Sequence, residues 1–395
     1  MAPLAARPLP LVEVNSPDPR ECGRQHGEQA REQIRASIAF YRQSFERAAK
    51  LTWAEVQKSA LAWVPLIDDY LPGITDEIRG IAEGAGTTFE EILALNGRGE
   101  LSYGNPFVDE GKDACSSYAI TGEASGDGHV YCGQNCDWAT EIVDTVVMIR
   151  IVQPGKPTIV MQTEAGQVGR QGANSAGIAL NANGLGGRFP GKIVGLPQTY
   201  IRRKVLEADN MHDALTAVFS SKQSSCTNLL LTHREGFVID LETTPARHGW
   251  MYPTGGILVH ANHFQAFVPE QIADTYRPFS PDSLYRVPRI ERVLRRAKTA
   301  ATPEQMRTLI AEAMRDHFGY PNSVCNHADE RDHPFERTQT IASSIVDLTT
   351  GEYWAALGPP CQAEYRKLPW NVYDGPGAQE PARLNGHAAV ALAAG

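Results

Sequence analysis

The spacing of apolar residues divides the chain near residue 115. From Asp18 to about Gly97, apolar positions recur at helical intervals. Ser16 and Asp18 flank Pro17 and are placed to cap a long amphipathic helix running through Ile34, Ile38 and Tyr41. Further helices are predicted over 53–70, 75–85 and 88–95. The last has Thr88 as its cap and Glu90 and Glu91 near the positive helix start. Gly97, Gly99, Gly104, Asn105 and Pro106 then read as an irregular linker up to Cys115.

Beyond Cys115 the period shortens. Segments 116–121, 129–135, 146–152, 158–164, 167–173 and 178–181 are short and β-rich, and Gly, Asp-Gly or Pro-Gly turns separate them. Helical spacing returns at 199–208 and 211–219, and strands resume at 227–232, 236–241 and 257–260. Two more helices, 281–297 and 303–316, precede strands at 339–347, 352–357 and 363–368. Strand meanders with helix pairs inserted between them suit two antiparallel sheets packed face to face and covered by helices, an α+β fold. The strict βαβ alternation of a parallel sheet is absent. No Gly-rich phosphate loop follows a strand, so no cofactor is expected. The Ala/Gly-rich tail, 385–395, is expected to fray.

Composition narrows the partners. At 395 residues, 42% hydrophobic and 21% charged, the chain is an ordinary globular protein with room for a large core. A formal charge of −9 with no dense basic stripe argues against nucleic acid and anionic membranes. Arg202-Arg203-Lys204 and the run from Arg292 to Lys298 read as solvated helix faces. No apolar run approaches a membrane span, and prolines interrupt the opening residues where a signal peptide needs a helix. Seven scattered cysteines are no disulfide framework and fit a reducing cytoplasm.

Candidate chemistry gathers at three residues. Cys115 stands in Asp113-Ala114-Cys115-Ser116-Ser117-Tyr118, where the helical preamble gives way to the β-rich body. Cleavage of the Ala114–Cys115 bond would put a thiol, with a pKa of about 8.5, and an α-amine, with a pKa of roughly 7.7–8.0, on one residue. Nucleophile and base would then be a single unit. Before cleavage, the same thiol can attack the Ala114 carbonyl to give a thioester that water hydrolyses. The plain alternative is a small buried hydrophobe. Asp137, in Gly133-Gln134-Asn135-Cys136-Asp137-Trp138, is expected at the end of a hairpin that returns it beside Cys115. There a carboxylate can hold the α-ammonium; otherwise it is a turn residue. Asn262, in Val259-His260-Ala261-Asn262-His263, can donate to an oxyanion or cap a turn. His260 and His263 lack a partner at metal-site spacing, and Cys132 and Cys136 lack a second pair, so no metal site is expected.

Taken in order, these motifs resemble the isopenicillin-N acyltransferase (acyl-CoA:6-aminopenicillanic acid acyltransferase) family of self-processing N-terminal-nucleophile hydrolases. The resemblance covers nearly the whole chain. It runs through Gly23-Arg-Gln-His-Gly27, Glu77-Ile-Arg-Gly-Ile-Ala-Glu-Gly84, Leu95-Asn-Gly-Arg-Gly-Glu100 and Asp113-Ala-Cys115. It continues through Gly133-Gln-Asn-Cys-Asp137, Thr163-Glu-Ala-Gly166, Gly172-Ala-Asn-Ser-Ala-Gly177 and His260-Ala-Asn-His263.

The resemblance implies a four-layer αββα sandwich and a precursor cut into an α-chain, 1–114, and a β-chain, 115–395, that stay together as one domain. Cys115 is then the nucleophile, Asp137 orients its amine and Asn262 donates in the oxyanion hole. Asn181, Trp138 and Asn326 fall at substrate-binding positions. Substrates would be a small-molecule amide or acyl donor and, for transfer, an amine. Three residues depart from the pattern. Ala114 replaces the Gly usual before the cut, Cys136 replaces an aromatic residue, and Asn326 stands where the penicillin enzyme has an Arg. Loss of that bidentate cation argues against a β-lactam substrate. Nothing announces a CoA site, which favours hydrolysis over transfer. The rival readings are a papain-like protease pairing Cys115 with His263, and a non-catalytic binding protein of the same fold.

Overall fold

A computed structural model of the chain describes residues 8–103, 114–187, 189, 194–278 and 280–375. The tail and much of the linker before Ala114 lie outside those residues.

The segment ahead of Cys115 opens with β1 (Leu11–Asn15), a strand the apolar pattern did not announce, in which Val12 and Val14 are buried. Seven helices follow: α1 (Pro19–Gln29), α2 (Arg31–Ser44), α3 (Trp53–Ala60), α4 (Val64–Tyr70), α5 (Ile74–Ala85), α6 (Phe89–Asn96) and α7 (Arg98–Tyr103). Asp18 caps α1 by accepting from the Arg20 N–H, as expected. The single long helix is nevertheless two, because the backbone leaves helical geometry at Ala30 (φ −110°). The break lets Gly23 and Gly27 of α1 face α5 while Ile34, Ile38 and Tyr41 of α2 enter the core. The helix predicted over 53–70 divides in the same way into α3 and α4. Pro65 stands in the first turn of α4, where its missing N–H costs no hydrogen bond. Thr88 and Glu91 form a reciprocal capping box at α6.

After Ala114 come β2 (Cys115–Ile120), β3 (Tyr131–Ala139), β4 (Val146–Val152), β5 (Ile159–Glu164), β6 (Gln171–Asn174) and β7 (Ile178–Gly184). Helices α8 (Gln198–Leu206) and α9 (Met211–Phe219) lead to β8 (Thr227–His233), β9 (Val238–Thr243), β10 (Gly249–Met251) and β11 (Ile257–His260). Then α10 (Ser283–Leu294) and α11 (Pro303–Met314) precede β12 (Thr338–Asp347), β13 (Glu352–Leu357) and β14 (Arg366–Asn371). One sheet runs β1-β4-β5-β6-β7-β8-β9-β10 and the other β11-β2-β3-β12-β13-β14. Among the described residues, every pairing of these strands is antiparallel except β1 with β4, which is parallel and departs from the all-antiparallel expectation.

Because strand side chains alternate between faces, each sheet has two apolar surfaces to cover. Ala119 and Cys132 of the smaller sheet meet Met148, Val160 and Leu230 of the larger one, forming the middle of the molecule. The outer face of the larger sheet, with Ile149, Leu180 and Leu229, packs on Ile34, Ile38 and Ile78 of the first helices. Tyr118, Ile120 and Tyr131 on the outer face of the smaller sheet are covered by Val287, Ile290 and Met306 from α10 and α11. Helix, sheet, sheet and helix thus make four layers. Helices α1 and α5 touch backbone to backbone: a Cβ at Gly23 would sit 1.9 Å from the Glu77 carbonyl oxygen, and one at Gly80 would sit 1.9 Å from that of Arg20. Among the described residues, no helix is long and apolar enough to cross a membrane.

Candidate active site

Cys115 is the first residue of β2, a strand flanked on both sides within the smaller sheet. It pairs with Cys136 of β3, so both side chains leave the same face, toward the larger sheet. Both polar groups of the peptide joining Ala114 to Cys115 are held. The Ala114 carbonyl accepts from the Asp137 N–H at 2.8 Å, and the Cys115 N–H donates to Asn262 Oδ1 at 2.9 Å. The next carbonyl, that of Cys115, accepts from Arg286 Nη1 at 2.6 Å.

Arg286 is fully buried on α10 and is tied on every side. Besides Cys115, it donates to Ser116 Oγ at 2.8 Å, Asn262 Oδ1 at 2.7 Å and Asp282 Oδ2 at 2.7 Å. Four acceptors, one of them a carboxylate, compensate the burial of its charge. Sequence reasoning missed this residue, although a signal existed. Arg286 lies on the same helical stripe as Ser283, Val287, Ile290 and Leu294, and a cation on an apolar stripe needs a buried partner.

Asn262 follows β11 and is completely buried. A guanidinium can only donate, so the atom facing Arg286 must be the amide oxygen. That oxygen also receives the Cys115 N–H, while Nδ2 donates to the Gly184 carbonyl at 2.9 Å. The Asn262 N–H donates to Ser283 Oγ at 2.7 Å, and the same hydroxyl lies 2.7 Å from His263 Nδ1. Burial, with His260 and Arg286 nearby, lowers the His263 pKa to about 4, so the ring is neutral at neutral pH. Its neighbour behaves oppositely. His260 directs one ring nitrogen at Glu242 Oε1 (3.0 Å) and the other at the Ala261 carbonyl (2.9 Å), so both must donate. Burial works against this charge, but Asp240 and Glu242 outweigh it and raise the pKa. Glu242 also accepts the Ala266 N–H at 3.0 Å, which clamps the loop carrying Asn262.

The hairpin does return Asp137 to Cys115, but through its backbone. Strand β3 runs on to Ala139, which puts Asp137 inside the strand and its side chain on the face opposite the thiol. There it is wholly buried. Oδ1 accepts from the Thr340 hydroxyl at 2.6 Å, and Oδ2 has no partner among the described residues. Burial pushes this carboxyl well above the usual carboxylate range, against the pull of Arg286 and the Thr340 hydrogen bond.

A cleft is lined among others by Arg98, Glu100, Arg170, Gly184, Arg202 and Thr227, while Cys115 itself is not part of its lining. It reaches the site through Gly184, which holds Asn262, and through Arg170, whose Nη2 lies 3.4 Å from Cys136 Sγ. Behind it, Glu164 is paired with Arg98 and accepts from the Tyr41 hydroxyl at 2.6 Å. Burial opposes the Glu164 charge, but Arg98 and Arg170 hold its pKa below the ordinary value. Burial raises that of Glu100.

The remaining candidates are spread around this centre. Trp138 stacks under Arg98 (4.6 Å to the ring centroid) and donates to the Tyr41 hydroxyl at 2.8 Å, behind the cleft wall. Asn181 is buried on β7, with Oδ1 unpartnered among the described residues, and is not among the residues lining the cleft. Asn326 belongs with Asp137: its N–H donates to Thr340 Oγ1 at 3.0 Å and its Nδ2 to Thr338 Oγ1 at 3.2 Å.

The four layers make an α+β sandwich with Cys115 heading an inner strand of the smaller sheet, and the chain is an enzyme of the acyltransferase class. It belongs to the acyl-coenzyme A:6-aminopenicillanic acid acyl-transferase family, whose model matches residues 124–362. A relative from Emericella nidulans, the acyl-coenzyme A:6-aminopenicillanic-acid-acyltransferase 40 kDa form, is 29% identical over 353 residues, covering 87% of this chain and 91% of that protein. Among solved structures, penicillin V acylase from Agrobacterium tumefaciens is 17% identical with a TM-score of 0.41, over 62% of this chain and 83% of its own. A variant of conjugated bile acid hydrolase from Clostridium perfringens is 12% identical with a TM-score of 0.44, over 62% and 89% respectively.

Proposed function

We propose that the chain cuts itself between Ala114 and Cys115 and then works as an N-terminal-cysteine amidohydrolase or acyltransferase through an acyl-thioester on Cys115. The observation that carries this reading is the grip on the Ala114–Cys115 peptide: Asp137 N–H on its carbonyl and Asn262 Oδ1 on its N–H. A donor on the carbonyl stabilises the oxyanion that forms when Cys115 Sγ adds to the Ala114 carbon. Collapse breaks the C–N bond, the Cys115 nitrogen takes a proton, and water hydrolyses the resulting thioester to free the Ala114 carboxylate.

In the processed enzyme the Cys115 amine takes the thiol proton as Sγ attacks a substrate carbonyl. It returns that proton to the leaving amine or thiol, and the acyl group passes to water or to an acceptor amine. Asn262 keeps its oxygen on the Cys115 nitrogen, and its Nδ2 supplies the oxyanion donor at the cleft rim. Asp137, whose second oxygen has no partner among the described residues, takes the new ammonium as its partner. The polar, arginine-bearing cleft suits a small acyl donor and an amine carrying polar or anionic groups better than a long hydrocarbon. Trp138 backs its wall through Arg98, and the cysteine usage fits a cytoplasmic location.

The papain-like reading loses its support, because Cys115 heads a strand and His263 Nδ1 is engaged with Ser283. The second reading is a chain that stays uncut between Ala114 and Cys115.

Intact mass spectrometry, with and without an activated acyl ester, separates the two. The proposed function predicts two fragments split before Cys115 and an acyl adduct on the larger one, while Cys115→Ala stays at 43.2 kDa and unlabelled. Full amide-cleaving activity in Cys115→Ala would end this reading.

A further inference from the structure

On the face of the smaller sheet away from the Cys115 thiol, three stretches of chain meet. His317 follows α11, Cys325 and His327 lie on the loop leading to β12, and Cys361 sits in the turn after β13. One nitrogen or sulfur from each falls within 4.8 Å of all the others. His327 Nε2 lies 3.1 Å from His317 Nε2, 3.5 Å from Cys325 Sγ and 3.4 Å from Cys361 Sγ.

As hydrogen bonds these contacts cannot all be made. A neutral imidazole Nε2 has either one proton or one lone pair, yet it faces three neighbours. As the edges of a tetrahedron they fit. Zinc bonds of about 2.0–2.1 Å to nitrogen and about 2.3 Å to sulfur imply edges of roughly 3.3 Å between nitrogens and about 3.6 Å from nitrogen to sulfur. The local backbone is also braced. The Cys325 N–H donates to the Asp316 carbonyl at 3.0 Å, the His327 N–H donates to the Pro321 carbonyl at 3.0 Å, and Arg315 Nε holds the Pro360 carbonyl at 2.7 Å.

We infer that His317, Cys325, His327 and Cys361 form a closed Cys2His2 site for a structural zinc ion. Two nitrogens and two sulfurs select zinc over oxygen-seeking cations. Cys325 and His327 are buried, while His317 and Cys361 are exposed and give the ion a way in. The site acts on the chemistry only through position. Asn326, between two ligands, holds Thr340, and Thr340 holds Asp137. Sequence spacing hid the site, because Cys325 and His327 alone resemble no zinc motif and their partners come from other elements.

The test uses full-length, untagged protein carrying Cys115→Ala, so that its outcome does not depend on self-processing. Elemental analysis after dialysis should find about one zinc per chain, and the combined Cys325→Ser and Cys361→Ser variant should retain less than about a tenth of that. If the serine variant fails to fold, cobalt exchange into the parent protein gives the second reading: a tetrahedral thiolate spectrum that zinc displaces. A folded parent without zinc overturns the inference. So does stoichiometric iron or copper in its place, a Cys325–Cys361 disulfide in a non-reducing peptide map, or zinc unaffected by the serine substitutions.

Discussion

At the residue scale, Asp137 carries the clearest pH consequence. Its folded pKa is raised by burial, so the uncut fold favours the protonated carboxyl. The stabilisation this gives is fully present below the ordinary carboxylate pKa of about 3.9 and is lost as pH rises through the raised value. Uncut Cys115→Ala protein should therefore lose stability from this group as pH rises toward neutrality. Adding Asp137→Asn keeps the acceptor for Thr340 and removes the titration. Urea midpoints should place the double variant above the single one at neutral pH, with the gap closing in acid; a gap independent of pH contradicts this account. Cys115 and Asn262 stood out in the sequence because each belongs to a short ordered motif, and the fold brings the two into contact. The direction of the Asp137 side chain was not, because it depends on how far β3 extends, and a shift of one residue moves a side chain to the other face.

At the scale of elements, the pairing of α1 with α5 is the most exacting contact. Gly23 and Gly27 face Gly80 and Gly84, and a methyl group at Gly80 would lie 1.9 Å from the Arg20 carbonyl oxygen, a backbone atom that cannot swing aside. Gly80→Ala gains helix propensity yet should destabilise the protein by about 1–3 kcal/mol through overpacking. A denaturant titration at constant slope would show the fall in midpoint, and unchanged stability would mean that the helices can separate freely. The sequence displayed these glycines only as part of a family pattern, since apolar periodicity registers bulky residues and is silent about close approach. Strand β1 escaped for a related reason: five residues signal little, and a partner elsewhere in the chain makes them a strand. Helix caps at Asp18 and Thr88 were readable because capping is local.

At the scale of the molecule, the four layers were legible because meanders interrupted by helix pairs admit few other packings. Which strands share a sheet was not, since that is settled by contacts between distant segments. The core under the larger sheet is assembled from both sides of the predicted cut, with Ile34, Ile78 and Leu93 against Ile149, Leu180 and Leu229. The fragments 1–114 and 115–395 are accordingly expected to elute together on a native sizing column after processing and to separate only in denaturant; separate native peaks would refute this. Strand β1 gives that union a further meaning. It closes one side of the larger sheet by lying along β4, whose sequence is Val-Val-Met-Ile-Arg-Ile-Val. Were the shorter fragment lost, β4 would become a bare edge rich in β-branched residues, an open template for pairing with other molecules. In a chain cut as proposed, retaining the shorter piece would thus also be a safeguard against aggregation.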